Sequence, residues 1–256
     1  MSSPWHFIDT GENTGAYNMA FDMQLAHDLS ASTGAQTLRL YRWKPWAISL
    51  GHNQLAADVD RAKCTDDGIE VVRRPTGGRA ILHAEELTYS VVMLPQGSIN
   101  EMYCGISSAL VRGLELFGVN VDFQRTQPKF ATIYRAASSA ACFTSSARYE
   151  IEWKGRKLVG SAQRRLHDRG QEVVLQHGSI LVGPEHRRLV EYLSNGNPEA
   201  LNHLKEEMEH KTIDLQTIMD RQIDIVELAL CIRRGFEMEW NVEFTEQRTN
   251  TENQHA

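Results

Sequence analysis

Residues 73–90 read RRPTGGRAILHAEELTYS and separate a short apolar segment from a longer one. In this stretch, Arg73 and Arg74 precede a threonine and the glycine pair Gly77-Gly78, and Arg79 follows that pair. Paired glycines let a backbone turn sharply and approach a ligand, and their amides can face an anion or a carbonyl oxygen. The arginines would bring positive charge to a phosphate or a carboxylate. A loop with solvated arginines fits these residue types equally well, and the spacing of a P-loop or a Rossmann fingerprint is absent.

The segments around this loop predict strands. Residues 69–73 (IEVVR) and 87–93 (LTYSVVM) are short and apolar, and the second is apolar enough to be central. Upstream, residues 37–43 (TLRLYRW) alternate with a period of two and are soon followed by residues 47–51 (AISLG). This pair predicts a hairpin.

The clearest helix of the sequence covers residues 98–118. Ser98 and Glu101 form a capping box, and Gly118 suits the C-terminal stop. Apolar residues recur every four positions on one face: Met102, Ile106, Leu110 and Leu114. Because strands, helices and hairpins are mixed along the chain, we predict an α+β (mixed α/β) domain rather than a doubly wound one. The expected sheet is mixed, largely antiparallel and flanked by helices.

We predict one domain over residues 1–245, with its core at about residues 34–220 and a helical C-terminal part packed on it. A chain of 256 residues is long enough to bury a large core without disulfide or metal support. Residues 246–256 (EQRTNTENQHA) contain no large aliphatic residue and are expected to form a disordered tail.

Composition and charge exclude several classes of function. The net charge is −6, the sequence pI is about 5.9, and 41% of the residues are hydrophobic. An acidic chain argues against nucleic acid as the main partner. No apolar run approaches the roughly 18 residues that cross a bilayer, and no signal peptide is visible, so we expect a cytoplasmic protein that does not bind membranes. The four cysteines are far apart and lack zinc or redox spacing, so we expect no metal site.

Cys142 lies in a segment of small residues, SSAACFTSSARYE (residues 138–150). Structural cysteines usually occupy periodic apolar runs, whereas a cysteine in a small-residue loop can be exposed enough to react. A nearby ammonium group would lower the pKa of such a thiol from about 8.5. Lys157 follows a tight turn in a predicted hairpin of residues 149–160 and is a candidate for that ammonium. Spacing alone does not place it beside Cys142.

Two further segments predict a close neighbour or a site. Arg156 and Lys157 alternate on a strand, so one of them faces the packed side or a pocket. Residues 160–162 (GSA) are unusually small for a strand, which predicts that a helix or a ligand approaches there. His177 and Gly178 interrupt an apolar strand and suggest a bulge beside a site. A lone histidine in a strand is more often a structural residue.

Four motifs in this order resemble the biotin/lipoate protein ligase superfamily. They are FIDTGENTGAYNMAFD (residues 7–22), RRPTGGRAILHAEELTYSVV (residues 73–92), YEIEWKGRKLVGSAQRR (residues 149–165) and LQHGSILV (residues 175–182). Within the superfamily, the chain is most similar to the cysteine-dependent octanoyltransferases that act on the glycine cleavage H protein.

The chain departs from that family at two places. Residues 144–147 (TSSA) stand where many relatives have Asp-x-Pro-Ser, and His52 stands where relatives often have tyrosine or phenylalanine. These differences bear on donor and acceptor preference rather than on the reaction type.

The resemblance implies a catalytic pair, Cys142 as the nucleophile and Lys157 as the group that lowers its pKa. It also implies an acyl tunnel walled by the Arg-Gly-Gly loop, the strand of Lys157 and the His177-Gly178 segment. The substrate-binding residues expected on this basis are Arg73, Arg74, Gly77, Gly78, Arg79, His83, Gly160, Ser161, Ala162, His177 and Gly178.

The implied function is transfer of an octanoyl group from acyl carrier protein to a lysine of a lipoyl domain, such as the glycine cleavage H protein, in lipoate biosynthesis. The transfer passes through a Cys142 thioester and needs no cofactor, because the donor thioester is already activated.

Three alternatives stay open. One is an ATP-dependent lipoate-protein ligase, which would use ATP and Mg. Another is amidotransfer between lipoyl domains, and the third is a non-enzymatic lipoyl-binding scaffold. Ligases typically have Asn-Asp in place of CFTSSARYE, and many carry a fused C-terminal domain for which 256 residues leave no room. Both points favour the transferase.

Overall fold

The computed structural model describes residues 5–123, 150–194 and 197–246. Its helices are α1 (Gly15–Ser30), α2 (Arg61–Asp66), α3 (Ile99–Leu116), α4 (Pro198–Lys211), α5 (Leu215–Met219) and α6 (Ile225–Trp240). Its strands are β1 (Trp5–Asn13), β2 (Gln36–Trp43), β3 (Ala47–Leu50), β4 (Glu70–Arg73), β5 (Ile81–His83), β6 (Glu86–Met93), β7 (Asp122–Phe123), β8 (Ile151–Trp153), β9 (Arg156–Asp168), β10 (Gln171–Leu181) and β11 (Phe244–Glu246). Within the described ranges, no helix combines the length and the apolar character that a membrane span needs.

Two sheets of unequal size organise the strands. The large sheet has the order β11-β1-β2-β6-β10-β9-β8-β7, and the small sheet has the order β4-β3-β5. Every pairing from β2 to β7 in the large sheet is antiparallel, whereas β1 runs parallel to both β2 and β11. The predicted mixed, largely antiparallel sheet flanked by helices is confirmed.

The large sheet buries its two faces against different partners. Leu38 and Leu40 of β2 belong to the apolar cluster that includes residues of α3 and α6. Arg39 and Tyr41 instead donate hydrogen bonds to Asp22 of α1. Because successive side chains of a strand point to opposite faces, α1 and the α3–α6 pair lie on opposite sides of the sheet. Strand β2 is therefore buried on both faces.

Helix α3 forms as its sequence predicts. Ser98 and Glu101 make the capping box, and Gly118 takes a positive φ of 95° just beyond the helix. The apolar face is fully or almost fully buried at Met102, Ile106, Leu110 and Leu114. A Cβ on Gly235 of α6 would collide with the backbone of Gly113, so glycine lets α3 and α6 approach closely.

The predicted hairpin of residues 37–43 and 47–51 is wrong. Strand β2 pairs with β1 and β6, whereas β3 pairs with β4 and β5 in the small sheet. Both edges of β2 are already occupied by other strands, so β3 finds its hydrogen-bond partners elsewhere.

Three smaller expectations also change. The bulge at His177-Gly178 is wrong, because β10 keeps a regular register with both neighbours there. The sequence of residues 240–244 (WNVEF) also suggests a last strand, but that strand is β11, because Asn241 ends α6 in the left-handed conformation. Glu246, assigned to the tail, is the last residue of β11, and the remaining tail residues lie outside the described ranges.

A buried ion pair ties α1 to the middle of the large sheet. Asp22 and Arg39 are fully buried and 2.8 Å apart. The guanidinium of Arg39 also donates to Asn18 of α1, and the hydroxyl of Ser90 on β6 donates to Asp22 at 2.8 Å. Burial by itself raises the pKa of the Asp22 carboxyl, but the hydrogen bond with His177 and the charge of Arg39 hold that pKa below its ordinary value. The two charges therefore compensate each other inside the protein.

We predict that Asp22→Asn lowers the free energy of unfolding by about 3–5 kcal/mol, because it leaves the Arg39 charge buried without a counter-charge. Urea unfolding at neutral pH measures this loss. The folded pKa of Asp22 lies below its unfolded value, so the stabilisation is present above about pH 4 and is lost on further acidification. The difference between wild type and Asp22→Asn should shrink there.

Glu12→Gln is the matched control, since Glu12 and Arg42 form a half-exposed ion pair at 3.3 Å. This variant should change the free energy of unfolding by less than about 1 kcal/mol. Equal losses in the two variants would contradict the prediction.

Candidate active site

A cavity lies between the two sheets, with Met19 of α1 also lining it. The large sheet contributes lining residues from β2, β6, β10 and β9, and the small sheet contributes them from β3 and β5. Strands β2 and β9 are therefore the two lateral limits of the cavity on the large sheet.

Lys157 is the buried cation at the β9 side of the cavity. Its side chain is 6% exposed, and its Nζ lies 2.6 Å from Oε1 of Glu150, whose side chain is 8% exposed. The predicted tight turn is confirmed at Lys154 and Gly155, which both have positive φ and close the β8–β9 hairpin. Arg156 points away from Lys157 and donates to backbone carbonyls at the end of α4. The ammonium is thus held in the interior by a fixed carboxylate.

His83 forms part of the opposite wall. Its Nδ1 lies 2.8 Å from Oε1 of Glu86, and its Nε2 lies 2.8 Å from Oγ of Ser49. Burial raises the pKa of the Glu86 carboxyl, but His83 and the Thr88 hydroxyl, among others, hold it below its ordinary value. An ionised Glu86 accepts a hydrogen bond from the Nδ1–H group, and a neutral imidazole then accepts the Ser49 hydroxyl at Nε2. The imidazole also stacks on Trp43 at 3.9 Å between ring centroids, so its position is fixed.

His177 connects β10 to the loop that precedes β5. Its Nε2 lies 2.6 Å from Oγ1 of Thr76, which is 101 residues away in the sequence. Its Nδ1 lies 3.5 Å from Asp22. Burial lowers the pKa of His177, and the hydrogen bond with Asp22 opposes that shift. The histidine thus links the loop to the buried ion pair.

Arg73 and Arg74 donate hydrogen bonds to backbone carbonyls. Arg74 is buried, and its guanidinium donates to the carbonyls of Gly77 at 2.9 Å and Arg79 at 2.7 Å. Arg73 is exposed and donates to three carbonyls of residues 51–54. These contacts give both arginines a clear part in shaping the loop.

The two glycines of the loop have different requirements. Gly78 has a φ of 100°, which favours glycine, and a Cβ on Gly51 would collide with its carbonyl. The close approach at Gly78 is thus to another backbone segment. A Cβ on Gly77 would meet nothing within 4 Å.

Small residues open the cavity between β9 and β10. A Cβ on Gly178 would collide with the Gly160 carbonyl and lie 2.8 Å from the ring of Tyr89. The hydroxyl of Tyr89 donates to Ser161 at 2.6 Å, and Tyr103 of α3 donates to the Ser161 carbonyl at 3.1 Å. The small residues at 160–162 therefore accommodate both a helix and the cavity.

The structure brings most of the predicted site residues together. Those that line the cavity are Arg74, His83, Lys157, Gly160, Ser161, Ala162, His177 and Gly178. Four others belong to the loop without lining the cavity: Arg73, Gly77, Gly78 and Arg79. Cys142 lies outside the described residues. The catalytic and binding roles of all these residues stay predictions.

Several lining residues escaped the sequence reasoning: Met19, Tyr41, Trp43, Ser49, Ile81, Thr88 and Ser179. Glu150, the partner of Lys157, was also missed. A signal for part of this set exists in TLRLYRW, where Arg39, Tyr41 and Trp43 share one face of a period-two strand. A charged residue on an otherwise apolar face indicates a buried partner. Among the described residues, no cluster of three His, Cys, Asp or Glu side chains offers a metal site.

Family resemblance extends along most of the chain. Residues 14–237 match the model of the lipoyl protein ligase A/B catalytic domain. The octanoyltransferase LipM of Kyrpidia tusciae is 38% identical over 240 residues, which cover 91% of this chain and 85% of that protein. The octanoyltransferase LipM of Clostridioides difficile is 36% identical over 248 residues, which cover 94% and 89%.

Solved structures share the fold. A bipartite lipoate protein ligase from Thermoplasma acidophilum superposes with a TM-score of 0.74 at 19% identity, covering 98% of this chain and 89% of that one. A lipoate-protein ligase A bound with ATP gives a TM-score of 0.73 at 20% identity, covering 98% and 90%. At this level of identity the likeness concerns the fold alone.

The fold and the site together define a class of protein, a mixed α/β domain with a buried lysine at the side of a cavity. The chain belongs to the lipoyl protein ligase A/B catalytic domain family. The resemblance inferred from the four sequence motifs is confirmed.

We predict that Gly178→Ala lowers the free energy of unfolding by about 1–3 kcal/mol, because the added methyl overlaps the Gly160 carbonyl and the Tyr89 ring. Thermal or urea unfolding measures the loss. Gly77→Ala is the matched control for stability, since its methyl meets no atom. The close packing of β9 and β10 would be refuted if Gly178→Ala were as stable as Gly77→Ala.

Proposed function

We propose that this chain is an octanoyltransferase of lipoate biosynthesis that works through a thioester on Cys142. Curated relatives named octanoyltransferase LipM align over most of this chain and most of their own length, which supports the proposal. The structural observation that carries it is the Lys157 ammonium, buried at one side of the cavity. Its partner Glu150 follows Cys142 by eight residues in the sequence.

The reaction has two balanced steps. In the first, the Cys142 thiolate attacks the carbonyl carbon of an octanoyl thioester, a new C–S bond forms, the C–S bond to the donor breaks, and the donor leaves as a thiolate that takes a proton from solvent. In the second, the neutral amine of an acceptor lysine attacks the octanoyl-Cys142 carbonyl, a C–N bond forms, the C–S bond to Cys142 breaks, the amine loses a proton to solvent, and the Cys142 thiolate is regenerated. Dividing the transfer in this way is nucleophilic catalysis.

Lys157 has two tasks in this proposal. Its positive charge favours the thiolate form of Cys142 in the free enzyme. During each attack, the ammonium stabilises the negative charge that develops on the carbonyl oxygen. Glu150 keeps the ammonium in one position, which suits a group that must meet a developing charge without reorganisation.

The expected donor is the phosphopantetheine thioester of octanoyl-acyl carrier protein. The expected acceptor is a lysine of a lipoyl domain, with the glycine cleavage H protein as the first candidate. Family membership supports an acyl donor and a lipoyl-domain acceptor in general, and a lipoyl domain is the named partner of the Thermoplasma acidophilum ligase.

The proposed reaction needs neither ATP nor a metal ion, because a thioester is already an activated acyl group. A catalytic thiol must stay reduced, which favours the cytoplasm as the compartment. An ATP-dependent ligase remains the competing function for the same fold. The octanoyltransferase relatives, which align over most of this chain and most of their own length, favour the transferase.

We predict that incubation with octanoyl-acyl carrier protein in the absence of ATP adds one octanoyl group to the chain. Intact mass measures the adduct, and hydroxylamine should remove it because it is a thioester. Cys142→Ala should abolish the adduct, whereas Cys104→Ala and Cys231→Ala, which alter two half-buried thiols, should keep it. A chain that forms no adduct and modifies a lipoyl domain only with ATP and free lipoate would be a ligase.

We predict that Lys157→Ala raises the pH midpoint of Cys142 alkylation by about 1 unit or more, because the thiolate loses a nearby positive charge. The measurement follows the mass of the Cys142 peptide after brief iodoacetamide treatment at a series of pH values. Lys63→Ala is the control, since Lys63 pairs with Asp67 on the exposed helix α2. An alkylation profile that is identical in Lys157→Ala and wild type would remove Lys157 from its proposed role.

A further inference from the structure

A row of lining residues crosses four strands of the large sheet. Gly160 of β9 lies opposite Ser179 of β10, and Ser179 lies opposite Thr88 of β6. Thr88 in turn lies opposite Tyr41 of β2. Residues directly opposite each other in antiparallel pairs lie on the same face of the sheet. Along this row, the side chains grow from a single hydrogen at β9 to an aromatic ring at β2, so the cavity is most open at β9 and closes at β2.

The length of this row matches an octanoyl chain. Neighbouring strands lie about 4.8 Å apart, so β9 and β6 are separated by about 10 Å and β9 and β2 by about 14 Å. An extended octanoyl chain measures about 9 Å from its carbonyl carbon to its methyl carbon, given C–C bonds of about 1.5 Å in staggered geometry. A carbonyl group over Gly160 of β9, in the cavity that Lys157 also lines, therefore places the methyl end over Thr88. Two more methylenes would reach the aromatic rings of β2.

The rings at the closed end are fixed by buried polar contacts. The Trp43 indole donates to Oγ1 of Thr88 at 2.7 Å and stacks on His83 with an interplanar angle of 9°. The Tyr41 hydroxyl donates to Asp22 at 3.2 Å, and the guanidinium of Arg39 lies 3.9 Å from the centre of its ring. Neither ring can move aside without breaking these contacts.

We propose that Tyr41 and Trp43 form a wall that sets the upper length of the acyl chain at about that of octanoyl. The wall selects by exclusion, since longer chains meet rings that the Asp22–Arg39 pair and His83 hold in place. This assignment rests on the proposed octanoyl transfer, and it names the substrate length that the same cavity accepts.

The test compares octanoyl, decanoyl and dodecanoyl thioesters of acyl carrier protein as donors to a lipoyl domain. Trp43→Phe shortens the wall and should raise the decanoyl-to-octanoyl ratio of kcat/KM by about fifteenfold, because two further methylenes find room and each is worth about fourfold. Met19→Ala should shift the ratio in the same direction, since Met19 packs in one cluster with Tyr41 and Trp43. It provides a second measurement if Trp43→Phe does not fold.

Trp46→Phe is the matched control. Trp46 is three residues away and half-buried, and it lines a separate surface groove. The same substitution there should leave the ratio within about twofold of wild type. The proposed wall would be overturned if the Trp43→Phe and Met19→Ala variants fold, transfer octanoyl groups, and keep the wild-type decanoyl-to-octanoyl ratio of kcat/KM.

Failure of the proposed function gives a different result. In that case the wild type transfers no acyl group from any of the donors. The affinities of decanoate and octanoate for the wild type and for the same two variants are then measured by calorimetry, and the decanoate-to-octanoate affinity ratio takes the place of the kcat/KM ratio. A shift toward decanoate in Trp43→Phe or Met19→Ala supports the wall, and unchanged relative affinities in both overturn it.

Discussion

The buried Asp22–Arg39 pair fixes how helix α1 meets the large sheet, and one side of the cavity depends on that contact. Neither charge is stable in the interior alone, because desolvation of a single ion costs several kcal/mol. The pair therefore requires α1 to lie over β2 in one position. Asp22 also accepts from Tyr41 and Ser90 and lies near His177, so three strands are oriented by one carboxylate.

Small residues line the cavity where β9 and β10 meet, among them Gly160 and Gly178. A Cβ at Gly178 would occupy space already filled by the Gly160 carbonyl and the Tyr89 ring, so glycine is needed for the strands to pack at all. Around the cavity, Ser49, His83 and Glu86 form a chain of hydrogen bonds. Lys157 brings a charge into this interior and keeps it through Glu150.

Local signals predicted the elements well and their partners poorly. The capping box and four-residue apolar spacing of α3 act within one helix, so the sequence was sufficient for it. The hairpin expected between residues 37–43 and 47–51 was wrong, because β2 pairs with β1 on one edge and β6 on the other. The alternation of residues within one segment does not show which strand will be its partner. The site followed the same division. Motifs pointed to Lys157, His83 and Gly178 as site residues. The hydrogen bonds from Arg73 and Arg74 to backbone carbonyls were visible only in the structure.

The sequence by itself determined the family, the mixed and largely antiparallel sheet, and most of the motif residues that line the cavity. These properties are written in the periodicity of single elements and in four motifs of consecutive residues. Only the tertiary structure decided which residues line the cavity side by side, because Gly160, Ser179, Thr88 and Tyr41 come from four strands and meet through strand register. It also decided that Glu150 holds Lys157 and that Asp22 holds Arg39. Such pairs arise from the free-energy cost of burying charge, which acts between residues that fold together rather than between neighbours in the chain.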